Sequence, residues 1–504
     1  MQKRCFVVGF SALCAAASAL AQPPIHLSLE SLRRVRLLDV VLESATAVAP
    51  DPRKDPHATT YVEVKGVIGG NIRFELLLPE AWNGRFVMGG GGGFVGTVRN
   101  DARDSVKRGY ATVGTDTGHE WQPVYSAAWA LDNIEAQLDF GYLAVHRTAE
   151  AAKALLRAYY GRNAAYSYFV GCSRGGGQAM MESQRFPQDF DGIVAGAPAF
   201  DWTGLAANTV AIVKTLYPDP NHLDRTVLTQ EALQNLQKAI LEQCDAQDGL
   251  KDGIIQDPPS ARFDLSKVPG LTDEQRQAIN AIYQGARNDK GVLYPGFSVA
   301  ECDPEQWRVW LTGPAPQLLA KDHAPTLMFA FGTQIFKYLV FNQPDWDYST
   351  YNLTNFERDT HLAASFLNAT NSNLDPFKAR KGKLILWHGW ADPALPAQAT
   401  VDYYRQLQTH DPNAAEYCRL FMVPGCLHCG GGPGATAVDW LSAIVDWVEH
   451  AKAPDKLIAS KGGPGTTVMT RPLYPYPQSA IYKGSGDPNS ADSFMMKSLD
   501  AGRR

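Results

Sequence analysis

The chain has 504 residues, 45% of them hydrophobic and 20% charged, with a formal net charge of −5. That length and apolar content can bury one large core plus an inserted domain, or two domains. The mildly acidic balance, with no basic stripe, argues against nucleic acid or a membrane surface as a partner.

Lys3 and Arg4 precede an apolar run from Cys5 to Leu20, and Ala19-Leu20-Ala21 is an A-x-A cleavage signal before Gln22. This is the pattern of an export signal over residues 1–21, too short and Ala-rich for an anchor. No later segment approaches the roughly 20 uninterrupted apolar residues of a membrane span. The mature chain is therefore expected to be soluble, and periplasmic or secreted. Of eight cysteines, cleavage would remove Cys5 and Cys14 and leave Cys172, Cys244, Cys302, Cys418, Cys426 and Cys429. An even number permits bridges in an oxidising compartment.

Strands are expected at Tyr61 to Ile68, Ile72 to Leu78, Arg85 to Met88 and Tyr110 to Thr115, the third running straight into Gly89 to Gly93. An Ala- and Leu-rich helical stretch from about Asn133 to Tyr160 follows. Next come a strand at Tyr166 to Val170, a helix from about Gly176 to Arg185 and a strand at Ile193 to Ala195. Strands alternating with helices imply a mostly parallel sheet covered on both faces. From Asp201 to about Arg380 the character becomes helical and loop-rich, and strand-like runs resume at Lys383 to Trp387 and Arg419 to Val423. The division expected is one α/β domain in two parts, 22–201 and 381–504, around an inserted lid at 202–380. Trp307, Trp310, Phe329, Phe331 and Trp346 read as lid core, and the Pro/Gly-rich tail from about Pro464 as a surface wrap.

Gly171-Cys172-Ser173-Arg174-Gly175 is a G-x-S-x-G sequence between a strand and a helix. A serine at so sharp a turn has a strained backbone and needs small neighbours so that strand and helix can pack closely. Its hydroxyl is a poor nucleophile until a base removes the proton. Asp392 lies just beyond the strand ending at Trp387, and His428 just beyond the strand ending at Val423. The order Ser173, Asp392, His428 is that of the α/β-hydrolase fold, with His428 as base and Asp392 orienting and stabilising its imidazole. His388 sits close to its strand end and reads as packing the turn; His119 reads as structural or cleft-lining. The backbone N–H of Arg174 and one from the glycine run, taken as Gly93, would bind a developing oxyanion. A phosphate cradle is the other use of such a run, but no Lys-Ser/Thr follows it. If this triad forms, it also brings together Cys172 and Cys429, each next to a triad member. A disulfide there would clamp the two loops.

Asp245, Asp248 and Asp252 fall within eight residues that include Gly249. Their charges repel unless a cation lies between them, and hard oxygen ligands suit calcium. The residues alone leave a solvated acidic loop equally open.

Taken together, Cys172-Ser173, Asp392 and His428-Cys429 resemble the tannase and feruloyl esterase family of α/β-hydrolases. Arg108-Gly109-Tyr110-Ala111, Asp116-Thr117-Gly118-His119, Phe190-Asp191-Gly192-Ile193 and Gly484-Ser485-Gly486-Asp487 carry the resemblance along the mature chain. It implies a disulfide between Cys172 and Cys429. It also implies a structural lid calcium held by Asp245, Asp248 and Asp252 with the carbonyls of Leu250 and Ile254. Tyr474 and Met496 stand where many relatives carry a C-terminal cysteine pair. The activity implied is hydrolysis of small esters of aromatic acids: galloyl, feruloyl or chlorogenate esters, or mono(2-hydroxyethyl) terephthalate. A terephthalate monoester would want a cation near its acyl carboxylate. Other readings are a serine peptidase on the same fold and a non-catalytic polyphenol-binding protein.

Overall fold

The computed structural model describes residues 26–49, 53, 59–463 and 465–498; the export-signal reading lies outside them. Nine strands form one sheet in the order β1-β2-β3-β5-β4-β6-β7-β10-β11. They are β1 (Val40–Val48), β2 (Tyr61–Ile68), β3 (Ile72–Pro79), β4 (Arg85–Gly89), β5 (Ala111–Thr115), β6 (Tyr166–Cys172), β7 (Gly192–Gly196), β10 (Lys383–Gly389) and β11 (Cys418–Val423). The first three and β5 pair antiparallel. The remaining pairings, from β5–β4 across to β10–β11, are parallel.

The burial of each strand follows its place. β2 alternates between covered and half-covered residues, whereas β5 and β7 are buried along their whole length. Parallel strands roofed on both faces have no solvent side, so their sequences are continuously apolar or small. One face carries a core that includes Phe86, Phe169 and Leu386 and runs on into the insert. The other, with Val87, Tyr168, Val194 and Ile385, is closed by the helix Trp440–His450 through Ile444 and Trp447.

Between β7 and β10 the chain is mainly helical, with long helices at Trp202–Leu216, Gln230–Cys244, Asp273–Gln284 and Phe356–Leu367. A short hairpin, β8 (Ala286–Asn288) and β9 (Gly291–Tyr294), lies among them. The tail is more ordered than a surface wrap: β12 (Leu457–Gly463) pairs with β13 (Thr466–Leu473), and β14 (Gln478–Tyr482) with β15 (Phe494–Ser498). Gly465, Gly484 and Gly486 fall between its strands, while Thr466, Thr467 and Val468 supply β-branched strand residues. No helix among the described residues is long and apolar enough to cross a membrane.

Candidate active site

β6, β10 and β11 are parallel and their loops leave from the same edge of the sheet, which delivers three distant segments to one place. Ser173 follows β6 at φ 62° and ψ −121°, a strained conformation for a residue with a side chain, and starts the helix Arg174–Arg185. The strain is held by its own backbone. Its N–H donates to the Gly196 carbonyl at 3.0 Å, and its carbonyl accepts from Ala199 and Gly177. The flanking glycines are required by packing, since a Cβ on Gly171 would stand 2.5 Å from the backbone carbon of Gly175.

His428 bridges the other two residues. Its Nδ1 lies 2.8 Å from Asp392 Oδ2 and its Nε2 lies 2.9 Å from Ser173 Oγ. Asp392 is buried, and burial by itself raises its pKa. The contacts of His428 and His388 outweigh that cost and hold the carboxyl below the usual carboxylate range. An ionised Asp392 accepts from Nδ1–H of His428, leaving Nε2 to accept from the serine hydroxyl. Asp392 Oδ1 is fixed by the N–H groups of Ala394 and Leu395, at 2.8 and 3.0 Å.

His388 does more than pack a turn. Its Nε2 lies 3.1 Å from the same Asp392 Oδ2 and its Nδ1 lies 2.8 Å from Thr400 Oγ1. Asp392 is therefore gripped by two imidazoles. His119 is structural: it is buried, stacks on Trp129 at 3.7 Å, and burial pushes its imidazole down to about 4.

Cys172 and Cys429 are joined by a disulfide, with Cα atoms 5.9 Å apart. It ties the residue before the serine to the residue after the histidine. Cys244, Cys302, Cys418 and Cys426 form no disulfide among the described residues.

In the glycine run, the N–H of Gly90 donates to the Val170 carbonyl and that of Gly91 to Gln178 Oε1. Gly92 and Gly93 line the cavity beside Ser173, and their N–H groups have no acceptor among the described residues. The Arg174 side chain, unlike its N–H, was not foreseen as part of the site. It is 1% exposed, and its guanidinium lies over the rings of Phe140 and Trp202, at 4.2 and 5.5 Å. Nη2 donates to the carbonyls of Phe140 and Gly141. Those carbonyls belong to a π-turn, Asp139–Leu143, that interrupts the helical stretch read as continuous from the sequence. Wider spacing in a π-turn releases carbonyls from the ladder. With no carboxylate beside it among the described residues, burial pushes the guanidinium down to about 9.

Ser173 and His428 open onto a cavity of about 670 Å³. Its lid side is lined by Trp202, Leu205, Thr209, Trp310, Leu327, Met328 and Phe331. Trp310 meets the His428 ring edge-on at 5.4 Å. Trp310 and Phe331 thus face the site rather than only filling the lid core, whereas Trp307 is fully buried.

The acidic loop folds on itself. Asp245 Oδ1 accepts from the N–H groups of Asp252 and Gly253, and Asp248 from those of Leu250 and Gln256. A cavity of about 10 Å³ is lined by Asp248, Leu250, Asp252, Ile254 and Gln256 of this loop, though not by Asp245, and by Ala480, Tyr482 and Phe494 of the tail. That is room for one water-sized sphere. Burial, with Asp252 and Asp245 nearby, pushes the Asp248 carboxyl up to about 6. A cation would relieve this, and the all-oxygen donor set fits calcium. Asp252 Oδ2 is also paired with Arg471 Nη2 at 2.8 Å. Among the described residues, the group of three possible metal ligands whose atoms lie within 4.8 Å of one another is a different one, His146, Glu182 and Asp189.

The pattern of the family described as tannase and feruloyl esterase matches residues 58–497. The chain is 34% identical to mono(2-hydroxyethyl) terephthalate hydrolase of Piscinibacter sakaiensis, over 84% of this chain and 81% of that protein. It is 32% identical to feruloyl esterase C of Talaromyces stipitatus, over 82% of this chain and 81% of that one. The solved structure of feruloyl esterase B from Aspergillus oryzae superposes with a TM-score of 0.80 at 25% identity, covering 93% of this chain and all of that one. A serine, histidine and aspartate joined at the edge of an α/β sheet, in a chain matched along most of its length, lead to one assignment: this protein belongs to the tannase and feruloyl esterase family and is a carboxylic ester hydrolase.

Proposed function

We propose that the chain is an exported serine esterase that cleaves esters of phenolic acids through an acyl-enzyme. The observation that carries this reading is the hydrogen-bond chain from Asp392 through His428 to Ser173, opening on an aromatic-lined cavity. Ser173 Oγ attacks the acyl carbon as His428 Nε2 takes its proton; the imidazolium returns that proton to the departing alcohol oxygen. The developing oxyanion is met by the N–H groups of Arg174 and Gly93. Water activated by His428 then releases the acid and restores the hydroxyl. Calcium held by Asp245, Asp248 and Asp252 with the carbonyls of Leu250 and Ile254 would brace the loop. It would supply no reacting group.

The similarity to the terephthalate hydrolase favours a second reading, a terephthalate monoester as substrate. Its acyl carboxylate needs a cation, and the seven lid-side residues of the cavity include none; Arg99, which also lines the cavity, comes from the segment after the glycine run. A neutral phenolic ring fits that lining better. The test is a panel of gallate, ferulate, chlorogenate and terephthalate esters with wild type and Ser173→Ala. Turnover of a phenolic ester by wild type alone supports the proposal. Equal turnover by the two proteins, or none by wild type on any ester, ends it.

A further inference from the structure

His146, Glu182 and Asp189 lie outside the catalytic cavity, and none of them lines it. They come from three segments: the helix Ala144–Tyr160, the helix Arg174–Arg185 that Ser173 starts, and the turn between that helix and β7. The geometry points to a binding site for one divalent cation of the zinc type, held by an imidazole and two carboxylates. Such an ion would pin the nucleophile helix to its neighbour and supply nothing to the reaction. The inference is independent of the esterase reading above.

Glu182 carries the argument. It is 1% exposed, and neither of its carboxylate oxygens has a hydrogen-bond donor among the described residues. A buried carboxylate without donors is costly, and only a proton or a cation relieves it. What it meets instead is a second acid, for the ligand atoms of Glu182, Asp189 and His146 all lie within 4.8 Å of one another. Burial and the Asp189 charge hold the Glu182 carboxyl well above the usual carboxylate range. The cation whose charge reaches it is Lys153. That ammonium donates to the Asp189 carbonyl, lies 4.9 Å over the Phe190 ring, and forms no ion pair with a described carboxylate.

The imidazole is set up as a ligand. Its Nδ1 lies 2.6 Å from Asp189 Oδ2, and its Nε2 lies 3.4 Å from Glu150 Oε2. Phe186 stacks on the ring at 3.9 Å and 3° from parallel, which fixes its plane. A histidine that binds a metal commonly donates its other N–H to a carboxylate, so Nε2–H on Glu150 leaves Nδ1 for the ion. Tetrahedral bonds of about 2.1 Å would draw the ligand atoms in to about 3.4 Å from one another. A nitrogen among the oxygens suits zinc, whereas calcium and magnesium take oxygen ligands. Glu182 and Asp189 are buried and His146 is half-buried, so the ion enters from the imidazole side, with the fourth position open to water. Binding displaces the proton held between Nδ1 and Asp189.

The probe is zinc alone. Wild type, Glu182→Gln and His146→Gln are stripped with a chelator, returned to calcium so that the acidic loop 245–254 is supplied, and dialysed against micromolar zinc chloride. Bound zinc is counted by plasma mass spectrometry, and thermal melts check the fold. Wild type should hold one zinc per chain more than either variant, with affinity at the site weakened by more than about tenfold in each. Anomalous diffraction at the zinc edge from wild-type crystals needs no variant, and it should place the ion between His146, Glu182 and Asp189. Equal zinc in wild type and folded variants, or anomalous density only elsewhere, for example at His428, overturns the site and leaves a proton shared by the two carboxyls.

Discussion

Replacing both Cys172 and Cys429 by alanine tests the link between the covalent clamp and the triad. The two cysteines are 257 residues apart in sequence. Closing a loop of that size removes chain entropy worth about 5.5 kcal/mol from the unfolded state, and loss of native disulfides costs about 2–5 kcal/mol in practice. The change also reaches the chemistry, because one cysteine precedes Ser173 and the other follows His428. A shift of about 1 Å between the nucleophile and its base can cost on the order of 100-fold in rate. Urea unfolding of the double variant should therefore show a loss of about 2–5 kcal/mol, with kcat on an aryl ester falling by tenfold or more. A variant within about 1 kcal/mol of wild type that keeps its kcat would refute the clamp.

Replacing His388 by Phe removes one donor from the carboxylate of Asp392. Hydrogen bonds to charged groups are worth about 1.5–3 kcal/mol, so kcat should fall about 10- to 100-fold, and unchanged steady-state kinetics would mean that His428 alone holds the aspartate. The Gly171→Ala variant forces a methyl group to within 2.7 Å of Gly175 backbone atoms. A loss of about 1–3 kcal/mol in chemical denaturation is expected, and a neutral result would show that the turn can relax. Asp116 is buried, and burial pushes its carboxyl up to about 7 from 3.8. The unfolded chain releases this proton first, so the contribution is full below about pH 4 and is lost as pH rises through about 7. Relative to Asp116→Asn, wild type should lose a few kcal/mol between those limits. A pH-independent difference in unfolding free energy would contradict this.

What could be read from the sequence follows from where the relevant information lies. Ser173, Asp392 and His428 stand just past apolar strands, and β6, β10 and β11 occur where the alternation of apolar and turn residues places them. β1 escaped notice because Val40–Val48 is an edge strand with only Ala45 buried, so its sequence shows no clean alternation. The side chain of Arg174 was missed for another reason: its partners, Phe140, Gly141 and Trp202, come from segments that nothing near Gly171–Gly175 announces. His388 has the same history, since its role depends on Asp392 and Thr400 turning back toward it. Trp310 and Phe331 look like any aromatics of a helical insert until the fold sets them over Ser173.

The central claim is that His428 activates Ser173. Labelling with an aryl fluorophosphonate, followed by peptide mass spectrometry, reads that reactivity at a single residue. The account predicts one adduct, on Ser173 of wild type, strongly reduced in His428→Ala and absent in Ser173→Ala. An adduct on another serine, or undiminished labelling of Ser173 without the imidazole, would contradict it.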